Sequence, residues 1–363
     1  MLPYLQGDYG NASSVHARGS RARCAVEDAR GHVAAVIGAH ADEVVFTSGG
    51  TEANNLAIGG GAWRSGGRVL TTPIEHASVR LPVNHLRADG CTVAEVPVDP
   101  LGRVAVDEMA RLLEGPTSLV SIGWANNEIG TIQPIEQIGA HCRRHGIALH
   151  VDAVQAVGKI PVHVRDVDLL SISAHKFGGP QGVGALFVRR GVELRPLSLG
   201  GEQERGRRAG TENVAGIVGM GEACRLVATE LGAFGEACVA LRDALWEGLR
   251  GCIANVTRNS PGGADCLPNT LNVSFAGVRG EALVAALDLD SVAVSSGSAC
   301  AAGAGEPSHV LLALGRSRDA ACDGIRFSFG RTNTLSDIVR VVAVTSAAVE
   351  RIRATRSGRP GSA

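Results

Sequence analysis

Asp168-Leu-Leu-Ser-Ile-Ser-Ala-His-Lys-Phe-Gly-Gly179 is the stretch on which the reading of this chain turns. Leu169 to Ile172 has the composition of a buried strand. Ser173, Ala174, His175 and Lys176 follow at once, and then glycine. Lys176 stands out because lysine is scarce: Lys159 and Lys176 are the two lysines, against thirty-three arginines. Arginine serves wherever a surface cation is wanted, but its guanidinium does not deprotonate and cannot act as a neutral amine. A lysine placed just past an apolar strand is therefore a candidate for amine chemistry, above all a Schiff base. A residual surface lysine is the alternative reading.

The same arrangement recurs on both sides of this stretch. Glu43–Thr47, Arg68–Thr72, Ser118–Trp124, Ile147–Val151 and Gly184–Val188 read as strands, with helical patterns such as Pro134–His145 between several of them. Alternating strands and helices predict an α/β fold with a mostly parallel sheet covered on both faces. Residues 3–19 read as irregular, Ser20–Ile37 as a helix, and about Asn213–Leu249 as a long helical region with a possible break at Gly232. From about Asn255 the pattern changes. Leu271–Phe275 and Ile325–Phe329 read as strands, and Glu281–Leu287 and Leu335–Ile352 as helices, which suggests a smaller α+β domain. The expected division is a large domain over 10–228, a small one from 1–9 with 229–353, and a disordered tail over 354–363.

Composition narrows the function classes. A length of 363 residues, 45% hydrophobic and 20% charged, is globular, and a net charge of −1 provides no global field for nucleic acid or membrane. No apolar run approaches the roughly 18 residues of a membrane span, and the N-terminus lacks the blocks of a signal peptide, so the expected location is cytoplasmic. The nine cysteines include no CxxC pair and are odd in number, which disfavours a structural zinc site and a complete disulfide framework. No metal is expected.

Polar residues gather where the strands end: Thr51, His76, Asn127, Asp152, Gln155, Ser173, His175 and Lys176. Open α/β sheets bind ligands outside the carboxyl ends of their strands. The turn from Thr47 through Gly50 and Thr51 into a helix is suited to a phosphate, with free backbone N–H groups at a positive dipole end; an ordinary capped helix is the plainer reading. A lysine amine, an acid, a phosphate-binding turn and a stacking ring together make the inventory of a pyridoxal phosphate site. In it Asp152 would keep the pyridine nitrogen protonated. Gln155 could reach the ring oxygen and His76 could lie over the ring. Ser173, His175, Gly50 and Thr51 could hold the phosphate.

The chain resembles the cysteine desulfurases of the NifS/IscS class, fold-type I enzymes of the class-V aminotransferases. The stretches that carry the resemblance are Tyr9–His16, Thr47–Asn55, Glu75-His76, Asn126–Gly130, His150–Lys159, Ser173–Lys176, Glu204–Thr211, Ser295–Cys300 and Ile325–Arg331, in family order over about residues 9–335. It implies a fold-type I pyridoxal phosphate-dependent transferase with a seven-stranded sheet in the large domain. It implies Lys176 as the Schiff-base lysine, Asp152 as the pyridinium partner, Gln155 as the ring-oxygen partner and His76 as the stacked histidine that manages thiol protons. Asn127 and Arg331 match positions that bind the substrate carboxylate, with Asn127 also at the cofactor. Thr211 matches a residue that reaches the neighbouring subunit's phosphate, which implies a homodimer. Cys300, in a glycine-rich context followed by Glu306-Pro-Ser308 as in the long-loop group, matches the nucleophile that takes sulfur from L-cysteine as a persulfide, leaving alanine, for a sulfur-acceptor protein. Iron–sulfur assembly, tRNA thiolation and cofactor or natural-product sulfuration are all open as destinations. Relatives carry an Asp-Asn-Ala-Thr-Thr-like segment before the first match, and the expectation is that this chain opens after it. A selenocysteine lyase or another class-V enzyme would share Lys176 and Asp152, and an inactive subunit of this fold that binds a partner is the non-enzymatic alternative.

Overall fold

The computed structural model describes residues 1–61, 67–297 and 306–357, so Cys300 and residues 358–363 lie outside the described residues. The chain divides into two compact units: Met1–Pro97, Val104–Ala125 and Gln133–Leu231 form the first, and Val98–Arg103, Asn126–Ile132 and Gly232–Ala363 the second.

The first unit is built on seven strands: β1 (Val44–Thr47), β2 (Arg68–Thr71), β3 (Thr92–Glu95), β4 (Thr117–Gly123), β5 (Ala148–Asp152), β6 (Leu169–Ser173) and β7 (Gly184–Val188). Their order is β1-β7-β6-β5-β4-β2-β3. β7 runs antiparallel to both its neighbours, while the pairs from β6 to β3 are parallel. β1, β6 and β7 are buried at every residue, as strands covered on both faces must be. Gly184 allows this packing, because a Cβ there would lie 2.5 Å from Ile172 O and 2.7 Å from Gly49 Cα. The expected seven-stranded, mostly parallel α/β sheet is the observed one.

Several local expectations are corrected. Leu2–Gln6 is helical, not irregular: Pro3 sits in its first turn, where the missing N–H is no loss. Residues 1–9 group with the first unit, and Met1 packs at Gly219, where a Cβ would meet its sulfur at 2.7 Å. The next helix starts at Ala17, three residues before the expected Ser20, because His16 Nδ1 accepts from Gly19 N at 3.1 Å and caps it; Gly38, with φ 68°, ends it. The helix Val214–Cys252 runs through Gly232 without interruption.

The second unit holds an antiparallel sheet of β8 (Val256–Arg258), β9 (Thr270–Phe275), β10 (Ser295–Ser296) and β11 (Gly324–Ser328), in the order β10-β11-β9-β8. The helix Gly280–Leu289 buries Leu283 and Leu287 in the same core as Leu271, Val273, Phe275 and Ile325. The last helix, Leu335–Ser357, extends through 354–357, which were expected to be disordered. No described helix is long and apolar enough to cross a membrane.

Candidate active site

Asp152 is the last residue of β5 and is buried. Its Oδ1 accepts from Val154 N at 3.0 Å and its Oδ2 from Asn54 Nδ2 at 2.7 Å. Asn54 lies on the buried face of the helix Gly50–Gly59, which leaves β1 through Ser48 and Gly49. Burial pushes the Asp152 carboxyl up from its ordinary value, against the pull of Val154 N–H, Asn54, His76 and Lys176. An anion in this position is desolvated at a cost that a cation placed opposite would offset.

His76 caps the helix Ala77–Ala88, with Nδ1 accepting from Ser78 N at 3.1 Å and lying 2.7 Å from Ser78 Oγ. Desolvation lowers its basicity; Asp152 opposes that shift, and Lys176 and Arg80 reinforce it. Immediately before it, Glu75 is buried between the ends of β2 and β4. Thr72 Oγ1 donates to its Oε1 at 2.6 Å and Gly123 N to its Oε2 at 2.9 Å. Burial, with the nearby Asp152 charge adding to it, pushes the Glu75 carboxyl up to about 7.

Lys176 ends a short 3-10 turn, Ala174–Lys176, directly after β6, and its side chain is exposed. Phe177 anchors that turn in the core at Gly158, whose φ of 78° and lack of a Cβ (one would lie 2.4 Å from Phe177 Cβ) admit the ring. Ser173 Oγ lies 3.0 Å from His175 Nδ1. Gln155 follows β5 by three residues, and its Oε1 accepts from Lys159 Nζ. Lys159 is buried, with 7% exposure. The lysine for which the sequence suggested no role thus holds the amide of a candidate cofactor ligand.

Thr51 is exposed in the first turn of the helix Gly50–Gly59, and Glu52 beside it accepts from Ser48 N at 2.6 Å and from Arg208 Nε at 2.9 Å. The loop that carries Arg208 and Thr211 is pinned by a buried ion pair. Glu204 accepts from Arg30 Nη1 at 2.7 Å, from Arg30 Nη2 at 2.9 Å and from Phe46 N at 2.8 Å. Phe46 belongs to the edge strand β1, so Glu204 closes an edge N–H that the sheet leaves unpaired. Thr211 itself is exposed. A groove of about 550 Å³ opens beside His76, lined among others by Thr51, Ser78 and the exposed Leu81 and Leu197.

The first unit therefore brings together Gly50, Thr51, His76, Asp152, Gln155, Ser173, His175 and Lys176 at the strand ends. Asn127 and Arg331 belong to the second unit. There the Asn127 carbonyl accepts from Arg326 Nη1 at 2.7 Å, and the Arg331 guanidinium lies 5.7 Å from the centre of the Phe234 ring. Glu128, next to Asn127, is buried and pushed up to about 7 by desolvation; Ser308 Oγ donates to it at 2.5 Å, and a Cβ on Gly297 would lie 2.4 Å from its Oε2. Gly297 and Ser308 are the described residues nearest the Cys300 segment on one side and close to it on the other, and both meet this carboxyl.

Asn54 and Ser78 were not picked out by sequence reasoning. The available signal was a polar residue, Asn54, at a helix position spaced with Gly50, Ala53 and Ala57 on the apolar face. The donor set fits pyridoxal phosphate. A desolvated carboxylate answers the pyridine nitrogen, and an exposed amine suits the aldehyde. The phosphate has a helix N-terminus with Thr51, Ser173 and His175.

Comparisons with known proteins give one family. Residues 1–341 match the family described as Aminotransferase class-V. The chain is 45% identical over 358 residues to a protein of Dictyoglomus turgidum named cysteine desulfurase IscS, covering 97% of this chain and 91% of that protein. A solved structure described as a NifS-like protein superposes with a TM-score of 0.90 at 37% identity, over 96% of this chain and 94% of the other. Another, described as SspA in complex with cysteine, does so with a TM-score of 0.80 at 35% identity, over 90% and 92%.

Proposed function

The chain belongs to the class-V aminotransferase family, and from that premise we propose that it is a pyridoxal phosphate-dependent cysteine desulfurase, converting L-cysteine to L-alanine and passing the sulfur through Cys300 to an acceptor. The observation that carries this reading is the placement of Lys176, Asp152 and His76 at the ends of β6, β5 and β2 of one sheet, in a chain 45% identical to a cysteine desulfurase over nearly its full length.

Pyridoxal phosphate, when bound, supplies the electron sink that loosens the bonds at the substrate's Cα and Cβ. The chain's own groups supply the rest. Asp152, desolvated and held by Asn54 and Val154, pairs with the pyridine nitrogen. Gln155, held by Lys159, presents its amide to the ring oxygen. Ser173, His175, Thr51 and the backbone at Gly50 hold the phosphate. Lys176 would hold the cofactor at rest and, once released, its Nζ would take the substrate's Cα proton. Asn127 and Arg331 bind the substrate carboxylate. The Cys300 thiolate attacks the substrate sulfur; a sulfur–sulfur bond forms as the carbon–sulfur bond breaks, and Cys300 persulfide and alanine account for every atom of cysteine and thiol. Support for a homodimer comes from the exposed Leu81 and Leu197 beside the groove and from the exposed Thr211, on a loop that Glu204 and Arg208 tie to the first unit.

The test is alanine formation from L-cysteine with added pyridoxal phosphate and a thiol. Wild type should form alanine. Lys176→Ala should lose both alanine and the absorbance of the lysine-bound cofactor, and Cys300→Ala should lose sulfur output. Full sulfur output from Cys300→Ala would refute the persulfide step.

A further inference from the structure

Asn54 and Ser78 join His76 to Asp152 through consecutive hydrogen bonds. Asn54 Nδ2 donates to Asp152 Oδ2 at 2.7 Å and to Ser78 Oγ at 2.8 Å; Ser78 Oγ lies 2.7 Å from His76 Nδ1; Ser78 N donates to the same Nδ1 at 3.1 Å.

With Asp152 ionised, the hydrogens along these bonds have one consistent placement. An amide nitrogen only donates, so Ser78 Oγ accepts from Asn54 and its own hydrogen points to His76 Nδ1. A backbone N–H also only donates, so Nδ1 carries a lone pair. A proton on Nδ1 would face the Ser78 N–H as donor against donor. The single proton of the neutral imidazole therefore sits on Nε2. At the other end, turning the Asn54 amide over would set its Oδ1 against the Asp152 carboxylate. The observed orientation, which leaves Oδ1 buried without a partner, is the one an ionised Asp152 selects.

We infer that Asn54 and Ser78 are positioning residues that lock His76 as a neutral Nε2–H imidazole, a hydrogen-bond donor rather than a base, and hold Asp152 ionised. The inference rests on the desulfurase reading only for what these two groups then serve; the tautomer is a property of the chain. The groups facing His76 act mostly in the same sense. Burial, Lys176 and Arg80 oppose a second proton, and Asp152 favours one. His76 can take a proton only at Nδ1, at the expense of the Ser78 N–H bond. Its part in handling the substrate thiol is then to donate from Nε2, and proton acceptance passes to Lys176.

The experiment is nitrogen-15 NMR of the histidine-labelled protein, with and without pyridoxal phosphate, using His76→Gln to assign the signal, alongside equilibrium dialysis of pyridoxal phosphate. In wild type at neutral pH, His76 should read as the Nε2–H tautomer. Ser78→Ala keeps the backbone N–H and so should keep the Nε2–H tautomer, but without the hydroxyl donor to Nδ1 it should raise the titration midpoint of His76, and Ser78→Thr, which keeps a hydroxyl, should restore the midpoint. Asn54→Ala, which removes a hydrogen bond to a charged partner, should raise the pyridoxal phosphate dissociation constant by about tenfold. An Nδ1–H tautomer or an imidazolium in wild type, or a Ser78→Ala titration identical to wild type, overturns the lock. An Asn54→Ala dissociation constant within about twofold of wild type overturns its second half. A wild type that shows the Nε2–H tautomer but forms no alanine from cysteine refutes the desulfurase reading and leaves the lock standing.

Discussion

Replacing His150 with glutamine tests the floor beneath the site. His150 is fully buried on β5 two residues before Asp152, on the same face of the strand. Its ring spans three strands, with Nδ1 2.8 Å from Ser121 Oγ on β4 and Nε2 3.0 Å from Ser171 Oγ on β6. Burial pushes the imidazole down to about 3, whereas in the unfolded chain it titrates near about 6.5. Between those values the unfolded state takes up a proton that the folded state refuses. The stability contributed by neutral His150 is complete above the unfolded value and is lost as pH falls from about 6.5 toward 3. At 1.36 kcal/mol per pH unit, this comes to about 2 kcal/mol between neutral pH and about pH 5. Glutamine does not titrate and can still bridge two hydroxyls. The assay is urea unfolding of wild type and His150→Gln across that range, at one cofactor concentration. Whatever the substitution costs at neutral pH, the variant should gain about 2 kcal/mol relative to wild type by about pH 5. Carboxylate effects common to both proteins cancel in that difference. Parallel stability curves would mean that His150 accepts its proton inside the fold, and would refute the reasoning.

Glu75 should behave with the opposite sign: its carboxyl is raised to about 7 in the fold, so stability is full near and below the unfolded value of about 4.5 and declines as pH rises toward 7. Glu75→Gln should remove that decline, gaining about 3 kcal/mol on wild type by about pH 8 in the same unfolding assay. Glu204→Ala removes the buried partner of the Arg30 guanidinium, which is 4% exposed, and leaves it Glu27 and the Val44 carbonyl; it should cost about 3 kcal/mol. The double variant Arg30→Met with Glu204→Leu should recover most of it in a double-mutant unfolding cycle. Lys159→Met leaves the Gln155 amide without its donor, and equilibrium dialysis should show pyridoxal phosphate binding weakened roughly three- to tenfold; unchanged binding would mean that the Gln155 orientation is set elsewhere.

Much of this was legible in the sequence because the sheet is buried on both faces. β5 and β6 are largely apolar runs, and the polar residues that close or follow each run mark a strand end, which is how Asp152 and Lys176 are located from the sequence. β3 escaped notice for the converse reason: Thr92–Glu95 is a short edge strand with exposed residues at both ends and no apolar run. The start of the helix Ala17–Ile37 was misplaced because its cap is a histidine, outside the usual set of capping residues. Asn54, Ser78 and the partner of Lys159 were hidden for another reason. A side chain that orients another side chain leaves no periodic trace; only the fold brings Asn54 within hydrogen-bonding distance of Asp152, ninety-eight positions away.

The pairing of a buried Lys159 with an exposed Lys176 has a practical side. In most proteins an amine-directed reagent meets a dozen competing side chains. Here the folded chain presents one lysine ε-amine at its surface beside the terminal amine, because the other lysine is enclosed and hydrogen-bonded to Gln155. Acylation or reductive alkylation of the native protein is therefore confined to very few peptides, and the extent of labelling in the peptide that carries Lys176 is a direct count of the sites whose amine is not already engaged.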